Sequence, residues 1–155
     1  DADALNLLTK LRLSAKLPKN LIITPHPGEA SRLLNKSIDE IESNRFKAVS
    51  LLQEKYNCVA VLKGSGTLVC YKKGGKQKIG ICEAGNPGMA SGGMGDILTG
   101  IIAGFLAQGL SSIEAAELGV DIHAKAADLK SLETGEAGLL ASDVLEEVRQ
   151  LLKYE

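Results

Sequence analysis

The sequence predicts an α/β fold, a mainly parallel sheet with helices on both faces, and three observations point there. Short buried strands alternate with stretches of helical period; a glycine-dense loop runs from the last strand into the most clearly amphipathic helix; and 155 residues suffice for one ordinary core. In chain order, Ala4 to Ala15 carries Leu5, Leu8, Leu11 and Leu13 and reads as a helix that follows a strand outside this chain. The opening Asp1-Ala2-Asp3 therefore reads as a cut, and the chain as an incomplete domain.

Leu21-Ile22-Ile23-Thr24 is a short buried strand stopped by Pro25 and Pro27. Ser37-Ile38-Asp39-Glu40 is a capping box, and Ile41, Ala48, Leu51 and Leu52 supply the buried stripe of one helix to about Tyr56. Three strands follow, Cys58 to Leu62, Thr67 to Tyr71 and Lys78 to Cys82, joined by glycine turns as an antiparallel edge. Beyond the loop Gly85 to Gly95, a helix opening near Gly93 places Met94, Ile97, Leu98, Ile101, Ile102, Phe105 and Leu106 at spacings of three and four. A second, Ala-rich helix runs from Ser112 to about Leu132, its small residues fitting close packing against its predecessor. The last starts near Ser142 as N-cap.

Composition narrows the function classes. Hydrophobic residues make up 45% and charged residues 24% of the chain, and the apolar runs are broken too early for a membrane-spanning helix. Lys and Arg number 18 against 19 Asp and Glu, so no broad positive field favours nucleic acid, and a phosphate ligand must be held locally. Cys58, Cys70 and Cys82 are odd in number and form no CxxC pair, which argues against a disulfide framework or zinc site and for a reducing cytoplasm.

Chemistry concentrates in three places. In Gly85-Asn86-Pro87-Gly88-Met89-Ala90-Ser91-Gly92-Gly93-Met94-Gly95-Asp96, glycines let a ligand approach the backbone, and free N–H groups at a helix start can surround a phosphate without lysine. It is neither a Walker A loop nor a G-x-G-x-x-G fingerprint. Asp96 stands where a base could take a proton from a hydroxyl, or where a carboxylate merely complements the helix dipole. In Thr24-Pro25-His26-Pro27-Gly28-Glu29-Ala30, His26 and Glu29 are held in a stiff loop at a strand's C-terminal end, where open α/β sheets gather ligands; His26 could equally be a turn residue capping backbone groups, and Glu29 an ordinary first-turn carboxylate. Lys63-Gly64-Ser65-Gly66-Thr67 reads as a hairpin turn that could lie under a nucleotide. His123, on the apolar stripe of an Ala-rich helix, reads as a hydrogen-bonded core histidine rather than a ligand.

Four stretches in order, Asp1-Ala2-Asp3-Ala4-Leu5-Asn6, Thr24 to Ala30, Val61-Leu62-Lys63-Gly64 and Asn86 through Asp96, resemble the NAD(P)H-hydrate dehydratases, a branch of the ribokinase-like superfamily. The resemblance implies that residues 1–155 are the C-terminal part of a single ribokinase-like domain. It implies ADP- or ATP-dependent dehydration of the S epimer of hydrated NADH or NADPH, with Mg²⁺ as cofactor. By the same resemblance Asp96 is the catalytic base; Asn6, His26 and Asp96 meet the hydrated cofactor; and Glu29 helps organise Mg²⁺. Lys63, Gly64, Ser65, Gly66, Thr67, Asn86, Ala90, Ser91, Gly92, Gly93, Met94 and Gly95 hold the nucleotide. Met94 stands where superfamily kinases commonly have a small residue. A homo-oligomer and a fused or paired epimerase domain are further expectations, with no nucleic-acid or membrane partner. Two other functions remain open, a small-molecule kinase of the same superfamily and a non-catalytic nucleotide-binding module.

Overall fold

The computed structural model describes residues 1–10 and 17–153. Leu11, Leu13 and Ala15, part of the first expected helix, lie outside them; the described helix α1 spans Ala2–Leu8. Strand β1, Ile22–Ile23, is followed by α2, Pro27–Leu34. The expected single helix to Tyr56 is two, α3 Ile38–Ser43 and α4 Arg45–Tyr56. Asn44 divides them: at φ −151° it leaves the helical region, and its side chain caps the new helix by accepting from the Lys47 N–H. A short polar side chain that bonds its own neighbours competes with helix continuation.

Strands β2 (Val59–Leu62), β3 (Thr67–Lys73) and β4 (Lys76–Cys82) complete a sheet of order β1-β2-β3-β4. Only β1 and β2 pair in parallel; β2 with β3 and β3 with β4 are antiparallel. The mainly parallel character is thus not met among the described residues. The turns after β2 and β3 are too short for a crossover, so those strands must fold back.

Alternation along the strands divides the core. Val59, Val61 and Val69 face α5 (Met94–Ala107), α6 (Ser112–Thr134) and α7 (Ala141–Leu151). Ala60, Leu62, Leu68 and Cys70 face α1 to α4. Helices therefore cover both faces, as expected of the α/β class. Close packing of α5 on α6 depends on Gly119, where a Cβ would stand 2.6 Å from Ile102 Cγ1. Helix α7 takes Leu140 rather than the expected Ser142 as its N-cap, with Asp143 accepting from the Leu140 N–H at 2.9 Å. Among the described residues, no helix is long and apolar enough to cross a membrane.

Candidate active site

Parallel pairing of β1 and β2 brings their C-terminal ends together, and the Lys63 N–H extends it by donating to the Pro25 carbonyl at 2.9 Å. Lys63 enters this corner with its side chain 19% exposed. Its ammonium donates to Asp1 Oδ1 at 2.7 Å and lies 3.7 Å from Glu29 Oε2. Burial lowers the Lys63 pKa, while Glu29 and Asp96 pull the other way. The Thr24 hydroxyl donates to Asp1 Oδ1 at 3.1 Å and lies 3.5 Å from Thr99 Oγ1 on α5, tying strand end and helix together.

Strand β1 leads into a helix start rather than a loop. His26 is the N-cap of α2, its Nδ1 accepting from the Gly28 N–H at 3.0 Å, and Pro27 takes a first-turn position that needs no donor. Glu29 closes the box by accepting from the His26 N–H at 2.7 Å. The capping role is therefore present, yet the His26 side chain stays 52% exposed, with Nε2 3.7 Å from Glu29 Oε2. Asn6 accepts from Arg32 Nε at 2.9 Å, which places it beside the same helix.

The glycine loop closes the corner. Gly93 is the N-cap of α5 with a left-handed φ of 89°, which favours glycine, and among the described residues no side chain caps this end. The first-turn N–H groups keep their donors, and the helix dipole adds positive potential. A Cβ on Gly95 would meet Lys63 Nζ at 3.0 Å and Asp1 Oδ2 at 3.6 Å, so the loop and the Lys63 turn are neighbours. Asp96 is exposed in the first turn of α5. The Met94 side chain is buried in the core, so its offering to a ligand is its backbone.

Two of the expected nucleotide contacts have work within the loop. Asn86 donates to Asp128 Oδ1 at 2.9 Å and accepts from the Gly88 N–H at 3.1 Å, while Ser91 donates to the Leu139 carbonyl at 3.0 Å. Asp128, on α6, also accepts from the Gly85 N–H at 2.8 Å and so anchors the loop's entrance. Asp128→Ala removes the acceptor of both bonds; with Gly85 exposed and Asn86 keeping a contact to the Ser131 hydroxyl, it is expected to cost about 0.5–1.5 kcal/mol in urea unfolding. An unchanged midpoint would show that the anchor is dispensable.

His123 is 6% exposed, as a core residue should be, but among the described residues its Nε2 has no hydrogen-bond partner. Burial pushes its pKa down to about 4, so it is neutral at pH 7. The unfolded chain, with a histidine near pKa ~6.5, binds the proton first. Stability from this group is therefore complete above about pH 6.5 and lost as pH falls towards 4, by at most about 3 kcal/mol. His123→Gln is expected to flatten the stability profile across that window; a wild-type profile already flat there would contradict the assignment.

Among the described residues, no three His, Cys, Asp or Glu side chains converge as a metal cage. A Mg²⁺ carried in on a nucleotide needs less, one or two carboxylates beside phosphate oxygens and water. Glu29 fits that demand: Oε2 is engaged by the His26 N–H, whereas Oε1 accepts no hydrogen bond from a described residue. Burial raises the pKa of all three thiols, that of Cys58 to about 12, which disfavours their thiolate form at neutral pH.

The family model described as NAD(P)H-hydrate dehydratase matches residues 1–150. The chain belongs to the NAD(P)H-hydrate dehydratase family. It is 54% identical over 98% of its length to the bifunctional NAD(P)H-hydrate repair enzyme of Coxiella burnetii, of which it covers 30%. It is 42% identical over 97% of its length to the ADP-dependent (S)-NAD(P)H-hydrate dehydratase of Neisseria meningitidis, covering 51% of that protein. The ADP/ATP-dependent NAD(P)H-hydrate dehydratase of Bacillus subtilis, co-crystallised with ATP and Mg²⁺, superposes with a TM-score of 0.82 at 28% identity, over 90% of this chain and 50% of that one. A ribokinase-like protein of Enterococcus faecalis gives 0.76 at 31% identity, over 96% and 49%. The chain thus spans about half the length of these two dehydratases and less than a third of the bifunctional Coxiella enzyme.

Asp128 and Thr99 carry no signal in the sequence, where they look like ordinary residues of helical faces. Thr24 lies within a motif, but its tie to Asp1 and α5 appears only in the fold.

Proposed function

We propose that this chain supplies the nucleotide-facing part of an ADP- or ATP-dependent dehydratase that restores NADH or NADPH from the S epimer of its hydrate. The observation that carries the reading is one corner. The uncapped N-terminus of α5 and exposed Asp96 meet Lys63 and Glu29 at the ends of two parallel strands. Two of the relatives are named for this activity, one as ADP-dependent.

Hydroxide leaves poorly, so the hydroxyl must first become a phosphate ester. Asp96 takes the hydroxyl proton as the oxygen attacks the terminal phosphorus of the nucleotide; the bridging P–O bond breaks, and AMP leaves when ADP is the donor. Phosphate then departs with the C–O electron pair while the neighbouring carbon loses a proton, which restores the double bond. Hydrate and ADP thus give NAD(P)H, AMP and phosphate. Backbone N–H groups of Gly92, Gly93, Met94 and Gly95 receive the charge on the transferring oxygens, and Lys63 is placed to follow it. Mg²⁺, when bound at Glu29 and the phosphates, neutralises part of that charge.

Asn86 and Ser91 serve this reading by shaping the loop, and Ala90 by continuing it; Gly64, Ser65, Gly66 and Thr67 form the floor under the nucleotide. His26, through Nε2, and Asn6 face the hydrate. The bifunctional relatives motivate an epimerase fused to or paired with this unit. Three free cysteines motivate a cytoplasmic setting.

A kinase with the same base would stop at the phosphate ester. Product analysis separates them: with hydrate and ADP, AMP and free phosphate are expected in equal amounts, whereas a stable phosphorylated product without free phosphate would overturn the dehydratase reading.

A further inference from the structure

We infer that Arg45 is a positioning residue for the nucleotide: from behind, it sets the backbone of the turn Lys63–Gly66 so that this turn's N–H groups face the phosphates. The inference rests on the proposed role of that turn. Arg45 opens α4, whose residues Ala48, Val49 and Leu52 pack on the sheet face opposite α5. From that side Nη2 donates to the carbonyls of Leu62 at 3.3 Å and Lys63 at 3.4 Å, and Nη1 donates to the carbonyl of Ser65. One guanidinium therefore grips three carbonyls around a single turn.

Peptide geometry converts that grip into donor direction. Every peptide here is trans, so the N–H points away from the C=O of the same unit. Holding the Lys63 and Ser65 carbonyls towards α4 turns the N–H groups of Gly64 and Gly66 the other way. Neither donates to a protein acceptor among the described residues. The arrangement also explains why glycine occupies position 64: its φ is +143°, and a Cβ would lie 2.8 Å from Arg45 Nη2.

Stability alone is a poor reason for this arginine. Its Nε is buried without a hydrogen-bond partner among the described residues, and the Glu42 carboxylate approaches it only to 3.9 Å. A buried, unsatisfied donor is a cost that a simple capping residue would avoid. Lysine could not replace the fork, because a single ammonium cannot hold carbonyls on two sides of a turn.

The test uses the whole encoded protein with Mg²⁺ and ADP or ATP. Arg45→Ala is expected to raise the nucleotide Kd and KM about tenfold or more, the weight of one charge-assisted hydrogen bond. The hydrate KM should stay within about threefold, and added guanidinium ion should recover part of the nucleotide affinity. Arg45→Lys, which keeps the charge and retains more packing, should fall between, and it carries the test if the alanine variant folds poorly. In the wild type, the amide resonances of Gly64 and Gly66 should shift on addition of ADP. If those resonances move but both variants keep nucleotide KM within twofold, Arg45 is structural only and the inference is overturned while the turn's role stands. If the resonances do not move, the turn is not a nucleotide site, and both fall.

Discussion

Asp96→Asn is expected to lower turnover roughly 10²–10⁴-fold, or about 3–5 kcal/mol of transition-state stabilisation, while leaving nucleotide binding intact. The substitution is nearly isosteric and the side chain is exposed, so little packing changes. A carboxylate that only complemented the dipole of α5 would behave differently: its loss would cost about 0.3–1 kcal/mol of stability and spare the rate. Affinity for ADP should hold or improve slightly, since one negative charge is removed from beside the phosphates. Turnover within a few-fold of wild type would exclude Asp96 as the base.

Gly95→Val is expected to act on binding instead. At this position even a Cβ reaches 3.0 Å from Lys63 Nζ, and the valine methyls would both displace that ammonium from Asp1 and cover the first-turn N–H groups. Loss of one or two charge-assisted hydrogen bonds corresponds to roughly 10–10³-fold weaker nucleotide binding. Calorimetric titration with ADP measures this directly. Gly95→Ala should be milder, because the atom it meets is the free end of a flexible side chain. Equal affinities for valine variant and wild type would remove the phosphate from the head of α5.

Much of the fold is legible in the sequence because its signals are local. The spacing of Met94, Leu98, Ile102 and Phe105 marks the buried stripe of α5, and the glycines before it mark its exposed start. The strands β2 to β4 announce themselves through apolar runs and glycine turns. Helix α2 is only half legible: Pro25 and Pro27 read as a strand stop and a stiff loop and Glu29 as a possible first-turn carboxylate, whereas proline in the first turn with Glu29 in a capping box is a helix start. The break at Asn44 is hidden, since one polar residue interrupts no hydrophobic period.

The site is legible in its motifs but not in its supports. Lys63 and Asp1 meet across 62 positions of sequence, Asp128 reaches the loop across 42 and 43, and Arg45 reaches its carbonyls across 17 to 20. Periodicity along one segment does not join such partners. Nor does residue type help, because an arginine or aspartate on a helix is ordinarily a solvated one.

One reaction decides the function, and the return of NADH absorbance from its hydrate measures it most directly. The whole encoded protein, incubated with hydrated NADH and Mg²⁺, should restore the absorbance when ADP or ATP is added and not without nucleotide. Asp96→Asn should bind the nucleotide and restore almost none. No return of absorbance with either nucleotide, in protein shown to bind it, would contradict the dehydratase assignment.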